Sequence, residues 1–176
     1  FVFAGISAGQ PLLQLYDVER GRKEREIRFP DLGEILNPTW SPDGPRIAYS
    51  NAGGIHVMRA DGDDPHQLVA NASSPAWQPV VPETGRFVYH AVSVYTNQAG
   101  LYTADHDGLR TQLLLEQPAS YVDLFPEWSP DGTKVAFIRS GQEFGDVQIW
   151  VVNSDGSGAH RRGCPGGSRP EAASCW

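Results

Sequence analysis

The sequence predicts an all-β fold of repeated four-stranded antiparallel sheets, and three observations carry that prediction. A Trp-terminated tetrapeptide recurs as Asn37-Pro38-Thr39-Trp40, Ser74-Pro75-Ala76-Trp77, Phe125-Pro126-Glu127-Trp128 and Ala173-Ser174-Cys175-Trp176. The string Ser-Pro-Asp-Gly follows two of these tryptophans, at 41–44 and 129–132. An Asp-Gly pair closes an apolar alternating segment three times, at Asp61-Gly62, Asp107-Gly108 and Asp155-Gly156. The tryptophans stand 37, 51 and 48 residues apart, too unevenly for a helical solenoid but compatible with stacked sheets whose loops differ in length. Gly 19 and Pro 14 in 176 residues agree, since they make turns frequent and long helices rare.

In chain order, Phe1-Val2-Phe3-Ala4 matches the strand that elsewhere follows the Ser-Pro-Asp-Gly turn, and Leu13 to Val18 with Gly21 matches the next strand and its turn. The densest charge, Glu19 to Arg28, mixes both signs at the following outer strand, so a solvated face fits it better than a phosphate-binding patch. Seven residues after Trp40 and Trp128 begin the alternating strands Ile47 to Ser50 and Val135 to Ile138. The copy after Trp77 is stretched by three residues before Phe87-Val88-Tyr89 and loses the turn Asp. Ile55, Leu101 and Ile149 each stand seven residues before the Gly of their Asp-Gly pair, and Leu68, Leu113 and Arg161 mark the last strands. The units are therefore a partial one at 1–36, three full ones at 37–73, 74–124 and 125–172, and the start of another at 173–176, all within one segment 1–176. That is sixteen strands.

Turn chemistry explains the recurring residues. In Ser-Pro-Asp-Gly, proline presets φ near −65°, Asp accepts backbone N–H bonds, and Gly takes the positive φ that a Cβ resists. Asp-Gly between the last two strands of a unit is expected to form a two-residue hairpin with primed-turn geometry. Trp offers a broad apolar surface on which one sheet packs against the next. A lone four-stranded meander cannot bury both faces, so the units must stack.

The pattern Pro-x-Trp-Ser-Pro-Asp-Gly, followed by a strand with Ala before an aromatic (Pro38 to Tyr49, Pro126 to Phe137) and then Asp-Gly, resembles the TolB-like β-propeller repeat, also called WD-like. The resemblance implies four-stranded blades, about four blade-equivalents, in an incomplete ring. A closed four-bladed ring is the alternative, with Trp176 and its predecessors pairing beside Phe1 to Ala4. It also implies a periplasmic or extracellular location, although no signal peptide is visible. The implied function is a non-catalytic scaffold for binding a protein or a small polar ligand. The alternative is the gating or substrate-binding propeller of a larger enzyme, such as a prolyl-oligopeptidase-like peptidase or a polysaccharide lyase.

The residues themselves point away from other classes. With 14 Lys and Arg against 21 Asp and Glu, the net charge of −7 disfavours nucleic acid as a partner. No apolar run reaches the ~18 residues of a membrane span. There is no Gly-x-Ser-x-Gly, and His56, His66, His90, His106 and His160 are scattered without metal-ligand spacing, so no catalytic residue, metal or cofactor is expected. Asp43, Asp61, Asp107, Asp131 and Asp155 all recur at turns, which accounts for them without catalysis. Asp61-Gly62-Asp63-Asp64 lacks the downstream Glu of a calcium loop. Cys164 and Cys175, in a Gly- and Pro-rich stretch, are two thiols or one disulfide. The long inserts 93–99 and 140–146 are the expected recognition loops, with Tyr95, Asn97, Gln142, Glu143 and Phe144 as candidate partner-binding residues.

Overall fold

The computed structural model describes residues 2–7, 10–29, 34–79, 85–93, 96–141 and 147–162. These form fifteen strands and no helix. The expected sixteenth strand at 173–176, with Cys164, Cys175 and Trp176, lies outside the described residues. Strands β1 (Val2–Ser7), β2 (Gln10–Asp17) and β3 (Arg22–Arg28) make a first, three-stranded sheet. The second sheet holds β4 (Leu36–Trp40), β5 (Arg46–Asn51), β6 (Gly54–Arg59) and β7 (His66–Ala70). The third holds β8 (Ala72–Trp77), β9 (Arg86–Val92), β10 (Ala99–Asp105) and β11 (Gln112–Glu116). The fourth holds β12 (Tyr121–Trp128), β13 (Lys134–Gly141), β14 (Val147–Asn153) and β15 (His160–Arg162). Every sheet is an antiparallel meander in chain order.

The sheets stack as the apolar pattern requires. Leu13, Leu15, Phe29, Ile35, Ile47, Tyr49 and Met58 fill the space between sheets one and two. Ala48, Val57, Trp77, Phe87, Tyr89 and Tyr102 fill that between two and three, and Val88, Leu101, Trp128, Val135, Phe137 and Val152 that between three and four. Trp77 and Trp128 are 6% and 8% exposed, each wedged between its own sheet and the preceding one. The first strands lie innermost, β1 against β4, β4 against β8 and β8 against β12. The four sheets form an open arc, an incomplete ring rather than the closed four-bladed alternative.

The Ser-Pro-Asp-Gly turns form as the sequence indicates. Gly44 (φ 83°) donates its N–H to Ser41 O, and Gly132 (φ 68°) donates to Ser129 O. The Asp-Gly connections differ from the expectation. Within each Asp-Gly pair the Gly (Gly62, Gly108, Gly156) has positive φ and the preceding Asp does not, and six residues separate Arg59 from the start of β7 at His66. These are four-residue turns closed by Gly N–H onto Arg59, Asp105 and Asn153 carbonyls, not two-residue primed hairpins. Each Asp instead accepts the N–H two residues on, Asp63 onto Asp61, Leu109 onto Asp107 and Ser157 onto Asp155. The glycines also sit against the preceding sheet: a Cβ on Gly62 would lie 2.9 Å from Ile27, one on Gly108 2.9 Å from Leu68 O, and one on Gly156 would collide with Leu114 O.

Candidate binding site

The first strand of each four-stranded sheet is that sheet's inner edge, and all three break at the same place. The pairing register shifts between Leu36 and Thr39, between Ser73 and Ala76, and between Leu124 and Glu127. Pro38, Pro75 and Pro126 lie inside the three breaks, where an edge strand tolerates the missing N–H. The residue ahead of each proline is left-handed, with φ of 49° at Asn37, 54° at Ser74 and 50° at Phe125. Asn adopts that conformation readily; for Ser and Phe it costs on the order of 1 kcal/mol or more. A left-handed residue at three repeat-equivalent positions is a property of the repeat.

The three bulges converge. Residues 37–39, 74–75 and 125–127 line one cavity of about 140 Å³ at the inner edge of the arc. Asn37 Nδ2 donates to Ser74 Oγ at 3.1 Å, joining the second and third sheets there. Phe125 is 50% exposed, an aromatic ring held at the cavity rim by its strained backbone. Glu127 reaches solvent, yet crowding by protein raises the pKa of its carboxyl above the ordinary value of 4.5. A carboxylate short of hydration, beside an amide, two hydroxyls and an exposed ring, suits a hydrogen-bond donor or a cation carried on a partly apolar group.

The register places this cavity at one end of the sheets. Leu36 pairs with Ser50, Ser73 with His90 and Leu124 with Ile138, all close to where β5, β9 and β13 turn into their next strands. The inserts 93–99 and 140–146 connect strands at that same end. Of the candidate loop residues, Tyr95, Gln142, Glu143 and Phe144 lie outside the described residues. Asn97 is exposed, left-handed at φ 53°, and donates its N–H to Ser93 O at 2.8 Å. It is a turn residue between β9 and β10 and does not line the cavity. Asn37, Ser74, Phe125 and Glu127 were missed as site residues because their tetrapeptides draw attention to the Trp. The signal that could have found Asn37, Ser74 and Phe125 is a non-Gly residue before a strand Pro at one repeat position.

The turn carboxylates are occupied structurally. Asp131 Oδ1 accepts from Ser129 Oγ at 2.6 Å, Thr133 N at 3.1 Å and Thr133 Oγ1 at 2.8 Å, which lowers its pKa to about 2. Asp63 of the calcium-like run takes Arg59 Nη2 at 2.8 Å. The charged outer strand β3 pairs within itself, Lys23 with Glu26 at 2.9 Å and Arg28 with Glu26, as a solvated edge.

No protein-family model matches the chain. A curated relative, the Protein TolB homolog of Chlorobium luteolum, is 26% identical over 122 residues, covering 67% of this chain and 26% of the relative. A solved structure assigned to TolB of Agrobacterium tumefaciens superposes with a TM-score of 0.70 at 18% identity, covering 91% of this chain and 59% of that one. A chain in a nidogen/laminin complex gives 0.67 at 12% identity, covering 92% and 60%. A prolyl endopeptidase gives 0.59 at 11% identity, covering 94% and 29%. The chain thus spans about a quarter of the curated relative and less than two thirds of each solved neighbour. At these identities the likeness shows the fold, which is that of a TolB-like β-propeller.

Proposed function

We propose that this segment is a non-catalytic TolB-like propeller scaffold, residues 1–176 acting as one binding unit, that receives a protein partner or a small polar ligand at the inner mouth of the arc. The carrying observation is the convergence of three left-handed strand bulges on one cavity, at Asn37, Ser74 and Phe125. A cavity walled by three such bulges from neighbouring sheets is a rigid opening that suits a partner's side chain. Phe125 gives the apolar contact, and Glu127 with Asn37 and Ser74 receives a donor-rich or cationic group. Tyr95, Asn97, Gln142, Glu143 and Phe144, on the inserts at the same end, extend the contact around the mouth. The TolB-like fold and the likeness to a chain of the nidogen/laminin complex support a protein partner; the TolB likeness supports a periplasmic or extracellular setting.

A second reading is the propeller part of a larger enzyme, supported by the likeness to a prolyl endopeptidase. Under it the recognition surface is the same and the chemistry lies elsewhere in the parent protein. The test is affinity capture from a cell-envelope extract with wild type, a Phe125→Ser/Glu127→Gln variant and an alanine variant of both inserts. Captured proteins should be lost with the mouth variant and reduced with the insert variant. Full retention by folded variants would remove the proposal.

A further inference from the structure

Two equivalent interfaces in the stack are filled differently. On the face of the fourth sheet that meets the third, Asp123 pairs in register with Arg139, and Phe137 with Trp150. The buried Arg139 guanidinium sits against both rings, 5.3 Å from the Phe137 centroid and 4.7 Å from that of Trp150. At the same four places one sheet earlier, Ala72 pairs with Ala91, and Tyr89 with Tyr102. Alanine thus replaces both members of the ion pair, and the smaller Tyr102 replaces Trp150.

The frames around these side chains are alike. Leu114 and Leu115 of β11 pack into the first interface, Leu68 and Val69 of β7 into the second. An Asp-Gly turn holds each pair of sheets close: a Cβ on Gly156 would collide with Leu114 O, and one on Gly108 would lie 2.9 Å from Leu68 O. With the frame fixed and the side chains cut back, the second interface holds a cavity of about 300 Å³. Leu68, Val69, Tyr89, Ala91, Tyr102 and Gly108 line it among others, and no lining residue carries a charge. The two tyrosine rings stack side by side, with centroids 6.0 Å apart and planes inclined by 25°. Their hydroxyls are engaged, Tyr89 with Thr111 Oγ1 at 3.2 Å and Tyr102 with Gln98 O at 2.8 Å.

We propose that this cavity binds a small neutral aromatic molecule of indole size. Its volume is about twice the ~150 Å³ at which an apolar cavity takes up benzene, which leaves room for a second fused ring. Arg139 shows at the sister interface what this place accepts, a planar group laid against two aromatic rings. Here no carboxylate stands at position 72, so a guanidinium would lose its hydration without a partner, and a neutral ring is the form that fits. Contact with the Tyr89 and Tyr102 rings on one side and with Leu68 and Val69 on the other supplies the attraction. The site uses none of the residues that line the mouth.

The test follows methyl ¹H–¹³C cross-peaks during titration with indole, the Val69 and Val135 peaks being identified by Val69→Ile and Val135→Ile. The Val69 peaks should shift saturably in the millimolar range and show intermolecular NOEs to indole protons, while those of Val135, in the filled interface, stay in place. The shift should be lost in Ala91→Leu, which fills the cavity, and in Ala72→Asp/Ala91→Arg, which installs the pair of the sister interface. Unmoved Val135 peaks report that a variant is folded, and the NOEs locate indole without any cavity variant. Protonated 2-aminobenzimidazole, a cyclic guanidinium of similar size, should bind at least ~tenfold more weakly. Absence of the saturable shift or of the NOEs, a shift that survives in folded Ala91→Leu, or binding of the cation within tenfold of indole would overturn the site.

Discussion

Two carboxylates show how the same side-chain chemistry takes opposite signs in this fold. Asp131 is ionised inside its turn, where Ser129 Oγ and the Thr133 N–H and hydroxyl hold its pKa near 2. Because the unfolded group titrates near 3.8, the stabilisation is full above that pH and is lost as pH falls toward 2. Asp131→Asn should flatten this acid limb: in thermal melts between pH 5 and pH 2 the variant should lose less melting temperature than wild type. Glu127 has the reverse sign. Its folded pKa lies above 4.5, so ionisation opposes folding as pH rises through that raised value, and the cost is absent below 4.5. Glu127→Gln should therefore melt higher than wild type at pH 7 and equally at pH 4, as expected of a residue kept at the mouth for something other than stability. The turn aspartates were legible in the sequence because Pro, Asp and Gly each have a local reason to be there. The left-handed Asn37, Ser74 and Phe125 were not, since a residue before proline is biased toward extended backbone, and the recurring strand Pro marks their position without showing the bulge.

At the scale of strands and sheets, the tryptophans and one buried ion pair hold the stack together. Trp128 lies between β12 and the third sheet with Ala76, Val88 and Leu101. Trp128→Ala should destabilise by about 3–5 kcal/mol in denaturant melts, the usual cost of a large core truncation. Arg139 on β13 clamps Asp123 on β12 through Nε and Nη2, both at 2.7 Å, with Asp123 fully buried. The guanidinium lies 4.7 Å from the Trp150 ring centroid and 5.3 Å from that of Phe137. The Asp123 N–H reaches Gln117 Oε1, which also meets His90 Nε2 on β9, so the clamp ties the fourth sheet to the third. Arg139→Met would strand a buried carboxylate and should cost about 3–5 kcal/mol, whereas the paired change Asp123→Leu/Arg139→Met should recover much of that loss. The four-stranded antiparallel sheets were readable from the recurring tryptophans and turns and their spacing. The clamp was not, because a charged residue on an alternating strand reads as solvent-facing until the neighbouring sheet is placed. The Asp-Gly turns were read one size too small for a related reason: dipeptide chemistry fixes the Gly conformation but not the loop length, which the close approach of Gly62, Gly108 and Gly156 to the preceding sheet also constrains.

For the whole molecule, the account rests on β4, β8 and β12 meeting at a shared inner edge, since the mouth, its strain and the proposed partner contact exist only if they do. Asn37 and Ser74 lie on different sheets, 37 residues apart, with side chains 3.1 Å from each other. In a protein whose Cys164 and Cys175 are replaced by Ser, the pair Asn37→Cys/Ser74→Cys should form an intramolecular disulfide under mild oxidation. The control pair Asn37→Cys/Leu113→Cys, which joins an inner strand to the outer strand β11, should not. A monomer cross-linked only in the first pair is the predicted result; no cross-link in it, or equal cross-linking in both, would contradict the convergence of the sheets on one mouth.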